Sequence, residues 1–235
     1  GFAVIQPAGW ALLILGIFLA PALGFIFGTI NMVVVSWLFR FSTPSRVDTL
    51  FRRLQLVSAG IYSLGHGGND AQKTMGIIQA LLLAAGMTHL ATPNNDPHHW
   101  THYLNLFGHN HTVPWWIILT CNAAIALGTC FGGWRIVKTM GSGITRLTPV
   151  GGFCAESAAA ITIIGFTEIG GVPISTTHAI TGAILGVGTT KSIRAVRWIW
   201  GQRIVVAWVL TLPCAAFLAA MTYVVIRLVV HGSVN

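Results

Sequence analysis

Acidic side chains are scarce in this chain. Only five occur in 235 residues: Asp48, Asp70, Asp96, Glu156 and Glu168. Charged residues of both signs make up 8% of the sequence, against roughly 25% in soluble domains. That excludes an ordinary soluble domain, and the 54% hydrophobic content and mean hydropathy of +0.74 point to an integral membrane protein. Cysteines are few, and none of Cys121, Cys130, Cys154 and Cys214 forms a Cys-x-x-Cys pair or neighbours a histidine cluster. A zinc-ribbon or dithiol signature is therefore absent, and all four read as buried free thiols. No basic stretch precedes the first apolar run, so no signal peptide is expected. The start at Gly1, without methionine, reads as the start of a piece of a longer protein. The net charge of +8 would suggest nucleic acid in a soluble chain. Here the basic residues sit in short clusters between apolar runs, as in cytoplasmic membrane loops, and no nucleic-acid partner is expected.

Long uncharged runs dominate what is present. Residues 1–39 carry no charge, and a helix over 8–39 would be about 48 Å long, more than a hydrocarbon core of about 30 Å. It must tilt, kink near Pro21, or run past the interface. Thr43-Pro44-Ser45 is a turn and helix-start signal. Residues 54–88 form a second apolar region whose only charges are Asp70 and Lys73. Its length and its glycines together predict a helix broken at Gly65–Gly68. Residues 89–112 lack lysine and arginine, contain Pro93 and Pro97, and read as an exposed His-rich loop. Trp100, Tyr103, Trp115 and Trp116 suit an interfacial aromatic belt. A span is expected over 113–134 and a last one over 204–226, with a kink at Pro213. Between them lie two shorter pieces, 149–167 and 175–190, rich in small residues that permit close helix packing. Glu168-Ile-Gly-Gly-Val-Pro173 separates them, which predicts a re-entrant helical hairpin.

Charge sets the expected orientation. The segments 40–53, 135–146 and 191–203 hold eleven of the thirteen basic residues, and the positive-inside rule puts them in the cytoplasm. The segment 89–112 then lies outside, as do both ends of the chain, which requires 147–190 to be re-entrant or to cross an even number of times.

Four constellations carry chemistry. Ser175, Thr176 and Thr177 follow Pro173 at a helix start, where the first N–H groups lack internal partners. They are read either as ordinary caps or as donors to an oxyanion, most simply phosphate. Glu156 is isolated among small apolar residues. It is expected to be protonated, bound to a cation, or paired with a basic residue such as Arg146, while Glu168 in the turn could be solvated. Asp70 and Lys73, three apart, share a helix face. They form either a self-neutralised pair or part of a substrate and ion site with Asn69, and His66 beside them is a candidate proton carrier or a structural histidine. The loop histidines His89, His98, His99, His102, His109 and His111, with Asp96, allow a divalent-metal site on the His98, His99 and His102 spacing, without a full ligand signature.

Three motifs together, Gly-Gly-Asn-Asp-Ala-Gln-Lys at 67–73, Gly-Phe-Cys-Ala-Glu-Ser at 152–157 and Pro-Ile-Ser-Thr-Thr-His at 173–178, resemble the inorganic phosphate transporter (PiT) family. Their order and spacing are similar to its C-terminal half over nearly the whole chain, and to bacterial low-affinity members. The resemblance implies an all-α integral membrane protein of the plasma (inner) membrane, multi-pass, built as one half of an inverted repeat. It implies that Asn69, Asp70, Ser175, Thr176 and Thr177 bind substrate, that Asp70, Lys73 and Glu156 serve coupling, and that Glu156 is the family's essential membrane glutamate. It implies transport rather than catalysis, no cofactor, and a partner N-terminal half, because the Gly-Gly-Asn-Asp motif occurs only once here. Sodium-coupled members tend to carry asparagine where Lys73 stands. A fixed ammonium in place of a bound sodium therefore points to proton-coupled symport of phosphate, or of a metal–phosphate complex. Sodium coupling, another oxyanion such as sulfate or arsenate, and a metal-binding protein built on the His-rich loop are the alternatives.

Overall fold

The computed structural model describes residues 7–91, 113–134, 138–166 and 174–232, and every element in them is helical. In chain order these are α1 (Pro7–Leu38), α2 (Pro44–Ala84), the single turn α3 (Thr88–Ala91), α4 (Trp115–Gly132), a π-helical turn at Thr139–Gly143, α5 (Pro149–Ile164), α6 (Thr176–Lys191), a 3-10 turn at Ile193–Ala195, and α7 (Trp198–Gly232). The chain divides into two units, residues 1–196 and 197–235.

α2 begins where the sequence signals it. Thr43 is the extended N-cap residue and Pro44 occupies the first turn, where its missing N–H costs nothing. The helix then runs unbroken for 41 residues. The expected break at Gly65–Gly68 is absent, so the broken helix must be corrected. Glycine keeps its N–H, so the backbone ladder continues at a cost of about 1 kcal/mol per glycine. Tertiary packing offsets that cost at Gly65, which lies against Ile163 and Ile164 of α5. α2 stops at Gly86, whose φ of 75° is the left-handed conformation that glycine tolerates. Gly86 N–H and Met87 N–H donate to the carbonyls of Leu83 and Leu82.

The core of the first unit lies where α1, α2, α5 and α6 meet. α1 and α6 run parallel in close contact. A Cβ on Gly24 or Gly28 would collide with the backbone of Ala179 or Ala183, and one on Gly182 or Gly186 with Pro21 or Phe25. Small residues one turn apart on both helices thus let the backbones meet, the packing that suits a membrane interior. α5 is antiparallel to α6: Gly151 near its start touches Val187, while Ile163 near its end clusters with Ala179 and Ile174. Both helices have 16 residues, about 24 Å each, short of a full hydrocarbon crossing. α4 packs on the far half of α2 through Ile117 and Cys121 against Ala71 and Met75.

Among the described residues, three helices are long and apolar enough to cross a membrane: Ile14–Leu38, Trp115–Gly132 and Val205–Val229. Their large apolar side chains face outward, Phe18 being 72% and Phe131 90% exposed, which suits a hydrocarbon surround. Cys121 and Cys154 are buried as expected, whereas Cys130 and Cys214 are exposed. α7, the second unit, carries Pro213 within its 35 residues. Glu168 and the separating Gly-Gly-x-Pro turn, with most of the His-rich loop, lie outside the described residues.

Several contacts bring basic segments of the first unit to one end. Phe51 near the start of α2 stacks edge-on against both Phe39 and Phe153. Thr145, next to exposed Arg146, donates to the Ala195 carbonyl, beside Lys191 and Arg194.

Candidate functional site

The polar residues of α2 form one line. Gln55, Ser58, Tyr62, His66, Asn69 and Lys73 recur every three or four residues, so they share a face. That face meets α5 and then the start of α6.

At the start of α6, Ser175 is the N-cap residue, yet its side chain makes no capping hydrogen bond. Ordinary capping therefore does not account for this hydroxyl. The backbone N–H groups of His178 and Ala179 both donate to the Ser175 carbonyl. Those of Thr176 and Thr177 fall in the first turn, where no intrahelical acceptor exists. Thr176 is buried and Thr177 exposed.

Three side chains of α2 converge there. Asn69, only 2% exposed, donates its amide to the Ile174 carbonyl at 2.6 Å. His66 Nδ1 lies 2.8 Å from Thr176 Oγ1 and 3.4 Å from Asp70 Oδ2. Its ring stacks parallel on Tyr62. Asp70 Oδ1 accepts from Lys73 Nζ at 2.9 Å. The Asp70–Lys73 pair thus forms, with the aspartate side chain 32% and the lysine 50% exposed. Asn69 and His66 contact the Ile174–Thr176 segment directly, and His66 links it to the Asp70–Lys73 pair. A helix N-terminus with hydroxyls, a buried amide, an imidazole and a neutralised charge pair can hold a tetrahedral oxyanion and exchange a proton with it.

Glu156 stands apart. Its Oε2 accepts from Ser58 Oγ at 2.6 Å and its Oε1 from Gln55 Nε2 at 3.5 Å. Among the described residues no basic side chain pairs with it, so the expected partnership with Arg146 is not made. Gln55 can reach across because Gly152 opposite has no Cβ, which would overlap the Gln55 amide. Ser58 and Asn69 are eleven residues apart on α2, so Glu156 lies about 16 Å along that helix from the cluster around Asn69 and Thr176. His98, His99 and His102 lie outside the described residues, among which no group of three metal-ligating side chains occurs.

Ser58 and Gln55 carry no sequence signal of their own, although their spacing on α2 is visible. An unbroken α2 was needed to align them.

Comparison with known proteins identifies the family. Residues 1–219 match the phosphate transporter family. A Rhizobium meliloti protein named "Probable low-affinity inorganic phosphate transporter" is 53% identical over 207 residues, covering 88% of this chain and 56% of its own length. A Bacillus subtilis protein of the same name is 37% identical over 229 residues, 97% of this chain and 63% of its own length. A Mycobacterium leprae protein, again so named, is 35% identical over 97% of this chain and 51% of its own. The chain therefore spans about half to two thirds of the length of the curated relatives it matches. No solved structure matches it. The family and these relatives are transporters, not enzymes. With its polar α2 face, the hydroxyl-rich start of α6 and this match over nearly its whole length, the chain is a membrane protein that belongs to the phosphate transporter family.

Proposed function

We propose that this chain forms one half of a secondary active transporter for inorganic phosphate in the plasma (inner) membrane, completed by an N-terminal half of the same polypeptide. The observation that carries the reading is that Asn69 and His66 meet the uncapped start of α6, at Ile174 and Thr176, with Asp70 against His66. Phosphate would take the two first-turn N–H groups and the hydroxyls of Ser175, Thr176 and Thr177, with Asn69 and Asp70 completing this side. The α5–α6 pair would enter the membrane from the cytoplasmic end and turn back, since each arm is too short to cross. The two halves would rock about the site to expose it to each side in turn.

Coupling is to protons in this reading. Lys73 supplies a fixed positive charge against Asp70, where a sodium ion would otherwise be held. His66, touching both Thr176 and Asp70, carries a proton between the phosphate site and the carboxylate. Glu156, held by two neutral donors, is a second group whose charge changes during the cycle. A metal–phosphate complex is a compatible cargo, because neutralising the anion lowers its cost in the membrane.

The test is tracer phosphate uptake with sulfate, arsenate and divalent metal as competitors or activators. Phosphate uptake that sulfate does not compete away supports the assignment. Preferential uptake of sulfate would reject phosphate as the substrate.

A further inference from the structure

His178 closes the Pro173–His178 motif, but the phosphate site does not use it. Its surroundings assign it a different task. It is 7% exposed, in the first turn of α6, and its Nδ1 lies 3.3 Å from the backbone carbonyl of Ile17 in α1. In a regular helix that carbonyl would accept from the N–H of residue 21. Residue 21 is proline, inside α1 and without an N–H. The proline therefore frees one carbonyl in the helix interior, and an imidazole from the neighbouring helix takes it. Because a carbonyl can only accept, the Nδ1 of His178 carries the proton.

The contact lies at the head of the α1–α6 crossing. The next turn of each helix brings Pro21 against Gly182, and the turn after that brings Phe25 against Gly186. His178 follows Thr177 directly. A bond that fixes His178 on α1 therefore fixes the direction of the Ser175–Thr177 turn, whose own side-chain cap is absent. An uncapped first turn frays readily, and a fraying turn would lose the fixed N–H positions that an anion needs.

We propose that His178 is a positioning residue that tethers the start of α6 to the carbonyl freed by Pro21, holding the Ser175–Thr177 turn in its anion-binding form. The proposal rests on the reading of that turn as the phosphate site. It predicts coupling between a proline in α1 and a histidine 157 positions later.

The experiment measures KM for phosphate uptake and Tm in the whole transporter for His178→Ala, His178→Asn, Pro21→Ala and the double variant Pro21→Ala/His178→Ala. Loss of the tether raises KM about tenfold in His178→Ala. Asparagine places an amide N–H where Nδ1 stands, so His178→Asn stays near the parent. Pro21→Ala gives Ile17 an intrahelical donor that displaces His178, so KM rises without loss of folding. The double variant is then no worse in KM than His178→Ala, and its Tm exceeds that of His178→Ala because the carbonyl is again satisfied. Additive effects of the two substitutions on both readouts overturn the tether, as does a His178→Ala variant with parental KM and Tm. If the Tm coupling appears while KM stays parental in every variant, the tether stands and the assignment of phosphate to the turn falls.

Discussion

Asp70 and Glu156 are both carboxylates on helices of the first unit, and the fold treats them differently. Asp70 is neutralised by Lys73 on its own helix and touched by His66. Among the described residues, Glu156 has only the hydroxyl of Ser58 and the amide of Gln55 as hydrogen-bond partners. Replacing either by its amide keeps the size and removes the charge. Asp70→Asn and Glu156→Gln are expected to reduce phosphate uptake to background while both proteins still reach the membrane, as judged by uptake and by membrane-fraction immunoblot. Parental uptake in either variant would remove that residue from the coupling machinery. Asn69 behaves otherwise, because its amide holds the Ile174 carbonyl. Asn69→Ala should cost about 1–3 kcal/mol of stability, read as a lower unfolding midpoint, as well as weaken phosphate. The sequence marked Asn69, Asp70, Lys73, Glu156 and the Ser-Thr-Thr turn through their rarity in apolar surroundings. It did not mark Ser58 or Gln55, because small neutral polar residues are common in membrane helices and only an opposing carboxylate makes them distinctive.

At the scale of elements, the positions of the helices were readable from charge and turn signals, but the continuity of α2 was not. Glycines between apolar flanks look like a break when only length and propensity are weighed. Gly65 is instead a contact point for Ile163 and Ile164, and that contact joins residues about a hundred positions apart. The small residues of 149–190 did announce close packing. Which helix they would meet depended on the register of α1 against α6, which no local pattern contains. That register makes a sharp prediction. At Gly182 and Gly186 the approaching atoms are backbone, which cannot move aside. Gly182→Leu should cost roughly 3 kcal/mol or more and leave little folded protein in detergent. The equivalent change at Gly60, which has open space around its Cα, should be tolerated. Equal stability of the two variants would contradict the α1–α6 crossing.

For the whole molecule, the basic residues near the ends of α1, α5 and α6 lie together at one end of the first unit, and Arg40 there stacks over the exposed rings of Trp37 and Phe41. An aromatic–arginine group of this kind suits a membrane interface. Single cysteines at exposed Ser42 or Ser192 should react with an impermeant thiol reagent only from the cytoplasmic side, and one at Met87 only from outside, in a background lacking the native exposed thiols. Reaction of all three from one side would refute the orientation. The most direct measurement of the central claim is tracer phosphate uptake into liposomes holding the whole transporter, with an imposed inward proton gradient and no sodium, compared with the Asp70→Asn variant. The account predicts gradient-driven accumulation by the parent that collapses with a proton ionophore, and none by the variant. Accumulation only when sodium is supplied, or equal accumulation by Asp70→Asn, would contradict it.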